Sequence, residues 1–319
     1  MGKRTLLITH NIDDRLIDAV ERLTPEWNLI TGRDPSIWQS HLHDAEIIVG
    51  WKKEMTEMFE TTPKLRWLQS WSAGVNSMPL HKMESFGVRL TSANGVHAYP
   101  ISETIFALML ALTRKIHTYV RNQTSKTWNH AGLNLEIHGK TIGIIGVGAI
   151  GKETAKIAKA FGMNVVGVRH TGRQEQFVDN MYYSHQLNEV LPQCDYVVVT
   201  LPLTAETRHI FGVKQFELMK KTAFFINTGR GPIVDEGALI TALIEDQIAG
   251  AGLDVFEKEP LDKTSPLWEM ENVIVTPHTA GATEHYAKRV IEDIFIPNLK
   301  LYLKGQSPDI NLVDYKKGY

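Results

Sequence analysis

The sequence predicts a two-domain α/β protein built on parallel sheets with helices on both faces, one a Rossmann-type doubly wound sheet and the other a smaller flavodoxin-like domain. Three observations carry this expectation. Short apolar runs recur at steady intervals with amphipathic stretches between them. One of those runs, residues 141–145, leads directly into the glycine pattern GVGAIG at 146–151. The length of 319 residues, 43% of them apolar, is too great for one ordinary core and suits two.

In chain order, residues 5–8, 27–30, 46–50, 65–70 and 88–92 read as buried strands, while Ile12, Leu16, Ala19, Val20 and Leu23 recur at helical spacing. Pro100 then opens a helix where its missing N–H costs nothing, with Ile101, Ile105, Leu108, Leu112 and Ile116 as its buried stripe. This long helix is expected to join the two domains. Residues 121–138 are polar, with Trp128, Leu133, Leu135 and Ile137 as the only anchors, and read as an extended arm that needs a surface such as a second subunit. Strand signals return at 141–145, 164–168, 196–201, 223–227, 249–253 and 272–275. A last amphipathic helix carries Val290, Ile291, Ile294, Phe295 and Leu299 and returns the chain to the first domain. The expected division is 1–98 with 286–319 as the substrate-binding domain, and 99–285 as the dinucleotide-binding domain.

Composition narrows the function. A net charge of −2 with interspersed signs gives no basic face for nucleic acid, so small molecules are the expected partners. The longest apolar run, Ile105 to Leu112, is far short of the ~20 residues that span a bilayer. A single cysteine, Cys194, excludes an internal disulfide framework and reads as a packed small hydrophobe. The opening MGKRTLLITHNIDDR breaks into charge too early for a signal peptide, so a cytoplasmic location is expected. His41 and His43 lack further nearby ligands and read as a surface turn, as does the sequon at Asn122, and no metal is expected.

The glycine pattern has the flanks that give it meaning. Gly146 permits the tight turn, Gly148 lets backbone approach a pyrophosphate, and Gly151 allows close packing of helix on strand. The diphosphate would rest on the helix N-terminus at Ala149 and Ile150. The next strand should end in a carboxylate if the cofactor were NAD, since that group binds the ribose 2′-hydroxyl. Here it is followed by Arg169-His170-Thr171-Gly172-Arg173, with no carboxylate among them. Two guanidinium groups and a hydroxyl suit a 2′-phosphate, so NADP(H) is the expected cofactor, with NAD possible. Solvated surface residues and an indifferent enzyme are the alternative.

Three further residues follow strands of the same sheet: Arg230 in NTGRG, Glu259 in DVFEKEP and His278 in TPHTAG. Ligands collect outside the carboxyl ends of such strands, so the three can converge despite their separation in sequence. An arginine can fork onto a carboxylate and keto oxygen, a histidine can protonate a developing alkoxide, and a carboxylate can orient that histidine and keep it charged. This is the chemistry of hydride transfer to a 2-oxo acid. Taken singly each has an ordinary alternative: a loop histidine, an arginine paired with Asp235, a surface glutamate.

With these motifs in view, the chain resembles the D-isomer-specific 2-hydroxyacid dehydrogenases, and within them the glyoxylate/hydroxypyruvate reductase type. The likeness spans nearly the whole chain through SAGVN at 72–76, NGVHAYPISE at 94–103, the glycine loop, LPLTAETR at 201–208, NTGRG, LDVFEKEP and TPHTAG. It implies Arg230, Glu259 and His278 as the catalytic set, with Asp254 near the nicotinamide. Leu201, Pro202, Thr207, Thr228, Gly229, Ala280 and Gly281, which lie in the matching motifs, are the implied further cofactor contacts. Backbone N–H groups of Ala73, Gly74 and Val75, beside Ser72, would hold the substrate carboxylate. The resemblance also implies a split substrate domain, two chain crossings at a hinge, closure over the substrate and a homodimer. Arg169 departs from the acidic residue usual in NAD-using members, and Asn76 stands where many relatives have Asp. No C-terminal regulatory domain of the kind many phosphoglycerate dehydrogenases carry is expected. Trp51, Trp71 and Met78 would either line a pocket suited to glyoxylate or hydroxypyruvate or pack in the core. Two rivals stand beside this reading: a phosphoglycerate dehydrogenase, for which Lys52 and Lys53 offer the adjacent cations, and a nucleotide-sensing binding protein of the same fold.

Overall fold

The computed structural model describes residues 3–60, 64–75, 77–130 and 132–315; Asn76, one of the positions singled out above, lies outside them. The chain divides into two compact units, Met1–Val96 with Thr283–Tyr319, and His97–Ala282.

The first unit holds a five-stranded parallel sheet of β1 (Thr5–Ile8), β2 (Asn28–Thr31), β3 (Ala45–Val49), β4 (Trp67–Gln69) and β5 (Arg89–Thr91), in the order β2-β1-β3-β4-β5. Alternation along the strands splits their side chains between two cores. Leu6, Ile8, Ile47 and Trp67 pack with Leu16, Val20, Ile291, Phe295 and Leu299, while Leu7, Ile48, Leu68 and Leu90 pack with Trp38, Met55 and Met83. Asp13 starts the helix Asp14–Glu21 by accepting from the Arg15 N–H at 2.9 Å, which gives one orphan donor of the first turn a partner. The closing helix runs from Tyr286 to Leu303 and widens to π-type turns over Arg289–Phe295. Pro297 explains the widening, because it has no N–H for the carbonyl four residues back.

The second unit holds seven parallel strands: β6 (Thr141–Ile145), β7 (Asn164–Arg169), β8 (Asn180–Tyr183), β9 (Tyr196–Val199), β10 (Phe224–Asn227), β11 (Gly250–Leu253) and β12 (Val273–Val275). Their order is β12-β11-β10-β9-β6-β7-β8, so the winding reverses between β6 and β9. In a doubly wound sheet the crevice outside the strand ends at that reversal is where ligands bind. The helices Ala98–Thr113 and Ala149–Ala160 share one core with Ile142, Ile144 and Val198, and the helix Glu236–Ile244 packs in the other with Val197, Val199 and Phe225.

Two local expectations are corrected. The helix through Pro100 ends at Thr113, and Lys115 turns the chain with a φ of 54° before a second helix, Ile116–Thr124. Ile116 is therefore 50% exposed rather than part of the buried stripe, and residues 121–124 are helical rather than extended. The strand β8 was not expected at all: it is an edge strand of four residues with only Met181 and Tyr182 half-buried, too short an apolar run to mark a core strand. Among the described residues no helix is long and apolar enough to cross a membrane.

Candidate functional site

The phosphate cradle is built by backbone. Gly146 leaves β6 with a φ of 111°, and a side chain there would meet the Leu201 nitrogen at 2.8 Å. A side chain on Gly151 would meet the Gly146 carbonyl at 2.6 Å, so the helix lies too close to the turn for anything larger. Gly148 differs: a Cβ on it would enter open space. It stands at the N-cap of the helix that begins with Ala149 and Ile150, and no side chain caps that end. Free N–H groups, a positive helix terminus and open space beside a Cα fit a dinucleotide diphosphate. The segment after β9 borders this turn: Thr200 Oγ1 donates to the Gly146 carbonyl at 2.6 Å, and Thr207 Oγ1 donates to the Pro202 carbonyl at 2.8 Å, fixing the loop that carries Leu201.

At the end of β7, Arg169 is half-buried, whereas His170, Thr171 and Arg173 are exposed. The five-residue run after the strand has no acid, yet the fold supplies one from further along. Glu175 Oε2 lies 3.2 Å from Arg169 Nη1 and 2.7 Å from Lys152 Nζ. The expectation that no carboxylate stands beside Arg169 is thus corrected, because Gly172, at a φ of 58°, turns the chain and Glu175 comes back to the strand end.

Arg230, Glu259 and His278 each follow a strand of the second unit. Asn227, the last residue of β10, is buried and accepts from the Gly229 N–H at 3.1 Å, shaping the turn through Thr228 and Gly229 that projects Arg230. After β11, Glu259 folds back so that Oε1 accepts from the Phe256 N–H at 3.1 Å and Oε2 lies 2.6 Å from His278 Nδ1. Burial works to raise the Glu259 pKa, but the hydrogen bond from His278, the Phe256 N–H and the charges of His278 and Arg230 outweigh it and hold the carboxyl below its ordinary value. An ionised carboxylate only accepts, so the proton between the pair sits on Nδ1, leaving Nε2 without a part in that bond.

His278 itself has a φ of 53°, a conformation that side-chain-bearing residues avoid. Asp254 holds it there. The Asp254 carbonyl accepts from the His278 N–H at 2.9 Å, and its buried carboxylate accepts from Thr276 Oγ1 at 2.6 Å and from the Thr279 and Ala280 N–H groups at 3.0 Å each. Sequence reasoning placed Asp254 near a nicotinamide; its three-donor anchoring of the histidine loop carries no signal in residue type or spacing. Gly281 closes the loop, its carbonyl 2.9 Å from His97 Nδ1.

In the first unit, Ser70 fixes the 72–75 loop: its Oγ accepts from the Ser72 N–H and donates to the Ser72 carbonyl, both at 2.9 Å. Gly74 faces open space and Val75 is buried. Trp71 stacks on His10 at 4.3 Å, and Trp51 is tilted against Phe59 at 6.2 Å. Met78 is 8% exposed and belongs to the core, which decides its two readings. Among the described residues no group of three or more His, Cys, Asp or Glu could hold a metal ion.

The family described as D-isomer specific 2-hydroxyacid dehydrogenase, NAD binding domain, matches residues 106–280. The chain belongs to the D-isomer-specific 2-hydroxyacid dehydrogenases. It is an NAD(P)-dependent oxidoreductase of a family that acts on small 2-hydroxy and 2-oxo acids. The glyoxylate reductase of Korarchaeum cryptofilum is 37% identical over 264 residues, 81% of this chain and 79% of the relative. A D-isomer-specific 2-hydroxyacid dehydrogenase family protein from Aeromonas salmonicida superposes with a TM-score of 0.83 at 32% identity, covering 98% of this chain and all of the other. The NADPH-dependent glyoxylate/hydroxypyruvate reductase of Sinorhizobium meliloti, solved with NADP and sulfate, superposes at 0.78 with 27% identity, over 99% of this chain and 100% of that one.

Proposed function

We propose that this dehydrogenase reduces a small 2-oxo acid of the glyoxylate or hydroxypyruvate type, using NADP(H) in preference to NAD(H). The observation that carries the chemistry is the 2.6 Å contact of His278 Nδ1 with a Glu259 carboxylate whose other oxygen is anchored by backbone. The nicotinamide, when bound, supplies a hydride to C2 of the substrate. His278 Nε2 gives the proton to the oxygen that hydride addition leaves charged, and Glu259 fixes the ring and stabilises the imidazolium before transfer. Arg230 forks onto the substrate carboxylate and keto oxygen and draws the developing charge toward itself. Trp51 and the 72–75 loop of the first unit we assign to substrate binding, in keeping with the resemblance. The exposed Arg173 guanidinium and Thr171 hydroxyl, with the half-buried Arg169, support the NADP(H) reading, as does the NADP-bound Sinorhizobium relative. We further infer a homodimer, for which Trp128 at 95% exposure and Val120 at 57% supply apolar surface that wants cover.

The test is initial-rate kinetics at 340 nm with glyoxylate and hydroxypyruvate against both cofactors. NADPH should give the higher kcat/KM, and a tenfold advantage for NADH would end the cofactor reading. His278→Ala should lower kcat by a factor on the order of 10² to 10⁴. A His278→Ala enzyme with near wild-type kcat would remove the proton donor from the scheme, and a wild-type protein without turnover would favour the nucleotide-sensing rival.

A further inference from the structure

Glu175 is an acid that contacts both Lys152 and Arg169, and nothing in the motifs assigns it. Its Oε2 takes both Lys152 Nζ at 2.7 Å and Arg169 Nη1 at 3.2 Å. Lys152 comes from the start of the helix after the glycine loop, and Arg169 from the end of β7. The adenosine ribose of a dinucleotide is read between those two elements. The cations nearest its 2′-position therefore share a single anion. The hydrogen bond from Lys152 keeps that carboxyl below its ordinary pKa, so it is charged at neutral pH.

The segment that carries Glu175 does not depend on that carboxylate for its place. On one side the Gln174 side chain donates to the Val178 carbonyl at 2.9 Å; on the other, Asp179 exchanges hydrogen bonds with the backbone of Val165, its N–H donating at 2.8 Å and its Oδ2 accepting at 2.8 Å. The segment around Glu175 is thus tied to β7 by groups that would survive its replacement.

A 2′-phosphate carries a charge near −2 at neutral pH and must compete for the Arg169 guanidinium that Glu175 already contacts through Nη1. A 2′-hydroxyl needs an acceptor, which a carboxylate at this place provides. We propose that Glu175 sets the cofactor discrimination of this enzyme, competing with a 2′-phosphate for Arg169 and Lys152 while offering NAD(H) an acceptor for its 2′-hydroxyl. The consequence is a preference for NADP(H) that is moderate rather than absolute. The proposal rests on the NADP(H) reading for its direction of interest, but the residue's effect can be measured whichever cofactor the wild type favours.

The experiment uses Glu175→Gln, which keeps shape and removes charge. Titration calorimetry with adenosine 2′,5′-bisphosphate and with ADP reads the site without turnover, and kcat/KM for NADPH and NADH reads it in the working enzyme. The bisphosphate should bind on the order of tenfold more tightly to the variant, ADP should not gain, and the NADPH/NADH ratio should rise on the order of tenfold through KM. The gain should vanish when Arg169→Ala and Lys152→Ala are added, because no cation is then released. A bisphosphate affinity that stays level or falls in Glu175→Gln would overturn the proposal, as would a gain that persists without the two cations. A wild type that favours NADH would sink the cofactor preference alone, since the rise on Glu175→Gln would still be required.

Discussion

Gly231→Ala tests whether the arginine and the glutamate are held in one rigid frame. Gly231 is buried one residue after Arg230, and a Cβ on it would fall inside the van der Waals envelope of the Phe256 carbonyl and 2.6 Å from the Glu257 nitrogen. Carbon and nitrogen settle near ~3.4 Å, so the two segments must part by at least ~0.8 Å, and by more at Phe256. Neither obstacle is the end of a side chain that can rotate away. Displacement of Phe256 moves the N–H that fixes Glu259 Oε1 at 3.1 Å, and with it the Glu259–His278 pair. Overpacking of this kind costs ~1–3 kcal/mol, and a misplacement of ~1 Å in a catalytic frame can cost about 10² in rate. Circular dichroism melting and kcat with NADPH and glyoxylate measure the two effects, and quenching of protein fluorescence by NADPH should change far less than kcat. Wild-type melting together with a kcat within threefold of wild type would show that the frame is soft and the reasoning wrong.

Asp254→Ala strips the acceptor from two backbone N–H groups and one hydroxyl, at ~1–3 kcal/mol for each donor left without a partner, so melting should fall by several degrees and kcat should fall with it. Unchanged melting would mean water replaces the carboxylate at no loss. His10 gives a pH signature: burial first, then the charges of Lys52 and Arg33, lower its pKa to about 4. Folding therefore favours the neutral ring, and the stability this contributes is whole above about 6.5 and lost as pH falls from there toward 4. The shift corresponds to ~3 kcal/mol without solvent, and to on the order of 1–2 kcal/mol for a ring this exposed. Urea unfolding at pH 7 and pH 4.5 should show that extra loss in wild type and not in His10→Phe; equal slopes would refute it.

How far the sequence reaches depends on what each feature is made of. Buried parallel strands are written as apolar runs, so β1 and β6 were legible to the residue, and the candidate site was proposed from sequence because Arg230, Glu259 and His278 each follow such a run. Edge strands are less so: β8 half-buries only Met181 and Tyr182 and leaves too short an apolar run to mark a core strand. The break at Lys115 was hidden because Ile116 keeps the helical spacing of the stripe before it, and only the left-handed backbone shows that the helix has ended. Glu175 escaped for a different reason. A charge map read along the chain sees five residues free of acid after Val168, whereas the turn at Gly172 makes the relevant neighbour one that lies beyond them.

The strain at His278 joins these points. A left-handed backbone at a residue with a side chain costs of the order of 1–3 kcal/mol and persists only when its surroundings over-determine it. Asp254 supplies that determination from two directions, its carbonyl on the His278 N–H and its carboxylate on the residues either side. The strand end thus acts on the histidine through backbone, while Glu259 acts on the ring through Nδ1. With backbone and ring held by different acids, the imidazole orientation is fixed by the fold. If His278 is the proton donor we propose, a ring so placed needs no reorganisation at the moment of transfer, which is where fixed groups outperform mobile ones.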